Sequence, residues 1–121
     1  MELRKLQKIV IAALEDVKGR EIEVLDTAHL TPLFERIVIA CGDSNRQVRA
    51  LARNVADKVR EAGGEVLSIE GEENGEWVLL DLGDLVVHVM QPEARRYYNL
   101  EELWRDAPAS GDLLIRRQSA S

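Results

Sequence analysis

A single cysteine in 121 residues, Cys41, leaves no partner for an internal disulfide, and a chain of this length can bury a core without one. An isolated thiol with no visible reason for a lowered pKa reads as a small buried apolar residue rather than a nucleophile. Histidine is nearly as scarce. His29 and His88 stand far apart, and neither has Cys or His at ligand spacing, which argues against a zinc site. No apolar run approaches the ~20 residues that a bilayer span needs. Residues Met1 to Lys8 carry charge but no apolar block ending in small residues, so a cytoplasmic protein is expected. Positive charge is also short: 16 Lys and Arg against 22 Asp and Glu give a net charge of −6. Affinity resting mainly on phosphate contacts is thereby disfavoured, and little direct nucleic-acid contact is expected. Between Glu61 and Glu93 there is no Lys or Arg, while nine acidic residues (Glu61, Glu65, Glu70, Glu72, Glu73, Glu76, Asp81, Asp84 and Glu93) are present. Such a run is either a solvated face that aids solubility or the complement of a basic partner.

What is present is the pattern of one ordinary domain, 45% hydrophobic and 31% charged. Leu3, Leu6, Ile9, Val10, Ala13, Leu14 and Val17 recur at helical spacing, and Gly19 closes that helix. Glu21 to Asp26 alternates as a short strand, and after a Thr31-Pro32 loop the run Ile37-Val38-Ile39-Ala40 is apolar on both sides, as a doubly covered central strand should be. Gly42-Asp43-Ser44 then turns into a second helix with Ser44 or Asp43 as N-cap. Its stripe is Val48, Leu51, Ala52, Val55 and Val59, ended by Gly63-Gly64. Glu65 to Glu70 reads as a third strand and Glu72 to Gly75 as a polar turn. Pro92 opens one short helical turn, and Leu100 to Trp104 forms another. The domain is expected over 1–108, with a polar, disordered tail over 109–121. The fold class is α/β or α+β: a mixed sheet of about five strands with helices packed on it and one continuous core.

The clearest hairpin runs from Trp77 to Met90 around Gly83-Asp84. Counting outward from that turn pairs Leu82 with Leu85, Asp81 with Val86, Leu80 with Val87, Leu79 with His88, Val78 with Val89 and Trp77 with Met90. Alternation then gives two unlike faces. One is purely aliphatic (Val78, Leu80, Leu82, Leu85, Val87, Val89) and must pack on the helices. The other, Trp77, Leu79, Asp81, Val86, His88 and Met90, combines an aromatic anchor, a flexible Met and two polar groups, close to the make-up of a binding hot spot. The acidic run surrounds it, which favours the basic-partner reading. The competing arrangement has Tyr97-Tyr98 and Trp104 covering this face as a second core.

Catalytic signals are thin. The acidic residues do not place two close carboxylates on one strand, as a two-metal phosphoryl transferase requires. Gly42-x-Ser44 at a strand-to-helix turn resembles an anion-binding turn, but no Walker lysine or Gly-x-Gly-x-x-Gly accompanies it. A glycine turn followed by an N-cap explains it as well. Three functions thus stand side by side: a binding protein, a small nucleotidyl or phosphoryl transferase using that turn, and a dimerisation module burying the Trp77 face against its own copy.

The segment Gly75-Glu76-Trp77-Val78-Leu79-Leu80-Asp81-Leu82-Gly83-Asp84-Leu85-Val86-Val87-His88-Val89-Met90, followed by Arg95-Arg96-Tyr97-Tyr98-Asn99-Leu100-Glu101-Glu102-Leu103-Trp104, resembles the Iojap-like ribosomal silencing factors (RsfS). So do Gly42-Asp43-Ser44-Asn45-Arg46-Gln47-Val48 and the helix end Ala13-Leu14-Glu15-Asp16, so that the likeness spans roughly residues 3 to 108. The chain departs from the family pattern at Glu35-Arg36, where many relatives carry Asp-Tyr, and at Met90, where many have an aromatic. The resemblance implies a nucleotidyltransferase-like topology without catalytic carboxylates, no enzymatic activity and no cofactor. It also implies a partner: protein fourteen of the large ribosomal subunit, a basic protein on the intersubunit face. Docking there would block the small subunit sterically and repress translation when nutrients are short. Carried onto this chain, the contact residues implied are Trp77, Leu79, Asp81, His88 and Met90 from the hairpin, with Arg95, Tyr97 and Tyr98 beyond it.

Overall fold

In the computed structural model, residues 1–105 are described. The expected domain boundary near residue 108 and the polar tail lie outside the described residues. The elements run α1 (Leu3–Asp16), β1 (Arg20–Asp26), β2 (Arg36–Cys41), α2 (Asn45–Glu61), β3 (Ser68–Glu70), β4 (Trp77–Asp81), β5 (Leu85–Met90), α3 (Pro92–Tyr98) and α4 (Leu100–Arg105). The five strands form one mixed sheet in the order β1-β2-β5-β4-β3, with β2 and β5 parallel and every other neighbouring pair antiparallel. The expected fold class is therefore what the chain adopts. Among the described residues no helix is long and apolar enough to cross a membrane.

The hairpin register is the one that turn counting gives, from Trp77 opposite Met90 to Asp81 opposite Val86. It is fixed at the tip, where Gly83 takes φ +94° and its amide donates to Oδ1 of Asp81 at 2.9 Å. The third strand is shorter than Glu65 to Glu70, because only Ser68, Ile69 and Glu70 pair with β4; Leu67 donates a single further amide to the Asp81 carbonyl. A three-residue strand with exposed Ser68 and Glu70 is a guarded sheet edge.

The expectation of one continuous core is corrected to two, one on each face of the sheet. On the first face, α1 contributes Leu6, Val10, Ala13 and Leu14 and α2 contributes Val48, Leu51, Val55 and Val59, all packed on Val38, Ala40, Val78, Leu80, Leu85, Val87 and Val89. On the second face, Leu25, Ile37, Ile39 and Met90 are covered by Leu30, Ala94, Leu100 and Trp104, with Phe34, Trp77 and Leu103 at the margin. The physical reason is the doubly apolar β2: a strand whose two sides both read as core needs a layer on each side. The second layer is supplied by the loop after β1 and by α3 and α4.

Candidate partner-binding surface

The second layer covers only part of its face. Parallel pairing sets Ile37 beside Val86, Ile39 beside His88 and Cys41 beside Met90, so this half of the sheet presents a continuous apolar floor on which the Leu100 and Trp104 side chains sit. Beyond it, over β4 and β3, no further helix follows among the described residues, and only Tyr98 at the end of α3 reaches Trp77. Trp77, Leu79 and Asp81 are half-buried here, and the strand register brings Glu70 beside Leu79 and Ser68 beside Asp81. The result is a half-open sheet face bordered by acid.

The eight residues expected in the surface therefore divide. Trp77, Leu79 and Asp81 lie on the open half; Tyr97 and Tyr98 are 83% and 50% exposed at its edge. The Tyr98 ring stands 4.6 Å from that of Trp77, and Tyr97 packs edge-on against Tyr98 at 5.1 Å. His88 and Met90, in contrast, are buried in the chain's own second core, at 1% and 0% exposure. Both were expected as contact residues; in the structure Met90 lies under the layer that carries Trp104, and His88 lies at the floor beside it. The competing arrangement holds in part: Trp104 covers the inner half of the face and Tyr98 packs on Trp77, while Tyr97 stays 83% exposed. His88 acts from beneath, its Nδ1 accepting the Trp77 indole N–H at 3.0 Å.

Arg95 is also committed within the chain. Its guanidinium pairs with Glu101, lies 3.6 Å from Glu23 Oε2, donates to the Glu21 carbonyl at 2.6 Å and reaches Cys41 Sγ at 3.2 Å. The bulge in β1 between Arg20 and Glu23 makes that carbonyl available, with Glu21 at φ +49°. Arg95, expected as a contact residue, is in this structure the clamp that ties α3 to β1. Burial raises the Cys41 thiol above its ordinary value; Arg95 opposes that without overcoming it, and Glu21 adds to the rise. Such a thiol is protonated and inert, as its sequence context suggested.

Two surface residues escaped the sequence reading. Leu33, 64% exposed, and half-buried Phe34 complete a groove of about 340 Å³ with Leu79, Asp81, Gly83, Val86 and His88. The loop that carries them is well tied. The Thr27 amide donates to the Glu35 carbonyl, Thr27 Oγ1 to the Phe34 carbonyl, and the Leu33 amide to Thr31 Oγ1. An apolar dipeptide after Thr31-Pro32 was the available signal, though only the tertiary contact of Phe34 with Trp104, at 5.4 Å, gives it a place. On the acidic side, Arg49 of α2 holds the polar turn by donating to the carbonyls of Glu72 and Glu73 at 2.7 and 2.8 Å. Arg53 pairs with Glu72 at 3.7 Å.

The Gly42-x-Ser44 turn is spent on the fold. Ser44 Oγ caps α2 by accepting from the Gln47 amide, Gln47 Oε1 accepts from the Asp43 amide, and Gln47 Nε2 donates to the carbonyls of Val17 and Lys18 at the end of α1. A Cβ on Gly42 would meet the Val48 side chain at 3.0 Å, so the glycine serves close packing of α2. No group of three or more His, Cys, Asp or Glu placed to hold a metal occurs among the described residues.

A family model described as ribosomal silencing factor during starvation matches residues 1–121. The ribosomal silencing factor RsfS of Chromobacterium violaceum is 56% identical over 104 residues, which is 86% of this chain and 85% of that protein. The RsfS of Bacillus subtilis is 42% identical over 108 residues, 89% of this chain and 92% of its own. A crystal structure of a Chromobacterium violaceum protein, 56% identical, superposes with a TM-score of 0.85 and covers 86% of this chain and 87% of that one. With the mixed five-stranded sheet and the Trp77 hairpin in place, these likenesses have one meaning: the chain belongs to the ribosomal silencing factor (RsfS) family.

Proposed function

We propose that this protein acts without catalysis or cofactor, in the cytoplasm, by docking on the large ribosomal subunit through the open half of its sheet. Its partner there is protein fourteen, the basic protein of the intersubunit face. The bound domain occupies space that the small subunit needs, so joining fails and translation falls under nutrient limitation. One observation carries this reading: an apolar strip of Trp77, Leu79 and Tyr98 borders an acidic edge from a segment with no Lys or Arg. An apolar centre in a rim of one charge sign suits a partner of the opposite sign, with aromatics supplying affinity and rim charge supplying encounter rate.

The test is binding of the protein to isolated large subunits at two salt concentrations, with inhibition of subunit joining read in parallel. Glu73→Lys with Glu76→Lys should slow association at low salt and lose that effect at high salt, since exposed charges are screened over roughly 10 Å at 0.1 M. A parent protein that binds large subunits but leaves joining untouched would remove the steric mechanism. Binding unaffected by Trp77→Ala would move the contact surface elsewhere.

A further inference from the structure

The turn Gly71-Glu72-Glu73-Asn74-Gly75-Glu76 has no apolar side chain to bury, and its three carboxylates repel one another. By composition alone it should move freely. Its backbone is nevertheless tied at five consecutive carbonyls. Arg49 Nε donates to the Glu72 carbonyl at 2.7 Å, and Arg49 Nη2 donates to those of Glu73 and Asn74 at 2.8 and 3.4 Å. Gln91 takes the next two: its Nε2 donates to the Gly75 carbonyl at 3.2 Å and its amide to the Glu76 carbonyl at 2.9 Å. Gln91 Nε2 also donates to Asn45 Oδ1 at the start of α2. Gly75 is buried there, so close that a Cβ on it would lie 2.9 Å from the Asn45 carbonyl oxygen.

We infer that Arg49 and Gln91 are positioning residues of the docking surface, which hold this turn in one conformation so that Glu73 and Glu76 stand preformed beside Trp77 for a basic partner. The inference rests on the open half of the sheet being that surface and adds how its rim is fixed. The division of charge supports it. Arg49 spends its donors on backbone carbonyls, while Arg53 takes the Glu72 carboxylate at 3.7 Å. The carboxylates of Glu73 and Glu76, both exposed, make no hydrogen bond or ion pair among the described residues. A clamp made through carbonyls thus orders these two groups without neutralising them. Glu76 immediately precedes Trp77, so the Gln91 amide fixes the chain where β4 and its aromatic anchor begin. A rim ordered in advance loses less entropy on binding, and the gain falls mainly on residence time.

The experiment compares Arg49→Ala, Arg49→Lys, Gln91→Ala and the charge-matched control Arg53→Ala in the full chain. Association with and dissociation from isolated large subunits are measured beside thermal melts and NMR backbone order parameters. Electrostatics alone has the opposite sign: removing a cation from a protein of net charge −6 speeds encounter with a basic partner. Arg49→Lys is the central variant, because it keeps the charge while a single ammonium cannot span three carbonyls as the guanidinium fork does. Dissociation should be several-fold faster for both Arg49 variants and for Gln91→Ala, and parent-like for Arg53→Ala. Order parameters over Glu72 to Glu76 should be about 0.85 in the parent and fall below about 0.6 in Arg49→Lys, at a nearly unchanged melting temperature. Low order in the parent turn overturns the inference, and so does Arg49→Lys dissociating like the parent or Arg49→Ala matching Arg53→Ala. If Arg49→Ala does not fold, Arg49→Lys and Gln91→Ala decide. The two readings fail separately. A turn loosened by Arg49→Lys in a parent that binds no large subunits sinks the docking function and leaves the clamp standing, whereas Trp77-dependent binding indifferent to Arg49→Lys does the reverse.

Discussion

The indole N–H of Trp77 donates to Nδ1 of His88 across the hairpin at 3.0 Å, joining a half-exposed anchor to a buried base. The two are diagonal neighbours, since Trp77 pairs with Met90 and His88 with Leu79. The bond holds the indole plane before any partner arrives, which lowers the entropy lost on binding. His88→Ala should therefore act twice. The lost buried hydrogen bond and packing should cost about 1–3 kcal/mol of stability, and affinity should fall although His88 lies beneath the surface. Thermal melts together with large-subunit binding check this; weakened binding at unchanged stability would mean that His88 meets the partner directly.

Trp77 and Tyr97 should separate core from contact. Trp77 rests on the margin of the second core and against Tyr98, so Trp77→Ala should cost about 1–2 kcal/mol of stability. Binding should suffer more, by about 2 kcal/mol or above, which is roughly thirtyfold in affinity. Tyr97→Ala, at an 83% exposed position, should leave the melt where it was and reduce affinity alone. A folded Trp77→Ala protein that binds like the parent would refute the assignment of this face.

Gly71 and Gly63 share a left-handed backbone, φ +89° and +88°, but not the same surroundings. A Cβ at Gly71 would lie 2.1 Å from the Trp77 carbonyl oxygen, while one at Gly63 would meet nothing within 4 Å. Gly63→Ala should thus cost only the backbone strain, about 1–2 kcal/mol. Gly71→Ala should cost well over ~3 kcal/mol, because β3 and β4 must part to admit the methyl. Denaturant melts of the two variants, with amide exchange of β3, decide the point; similar losses would show that the close approach at Gly71 relaxes freely.

Cys41 offers a pH test. With its thiol pKa raised chiefly by burial, the folded state keeps the proton to higher pH than the unfolded chain does. Stability contributed this way is whole below the ordinary thiol pKa and is lost as pH rises from there through the raised value. Between neutral and alkaline pH, Cys41→Ala should lose stability less steeply than the parent. Native protein at pH 7 should also react with iodoacetamide more than about tenfold slower than the unfolded chain. Equal labelling rates would place Cys41 at the surface.

The sequence by itself determined the hairpin, its register and its two faces. A Gly83-Asp84 turn fixes pairing by counting, and period-two alternation assigns each side chain to a face without reference to the rest of the chain. It determined the two long helices, whose stripes and caps are local, and through the Trp77 to Trp104 motif it determined the family. Local signals could not say how far the second face is covered. That depends on β2 lying parallel to β5, a pairing between segments more than forty residues apart, which sets Ile37 and Ile39 beside Val86 and His88 and makes a floor broad enough for Leu100 and Trp104. His88 and Met90 fell inside that floor, while Trp77 and Leu79, one strand further out on β4, stayed at its open edge. Arg95 went to the clamp on the Glu21 carbonyl, Glu23 and Glu101 for the same reason: a guanidinium among partly buried acceptors is committed by the neighbours that tertiary packing brings, and those neighbours are not adjacent in the chain.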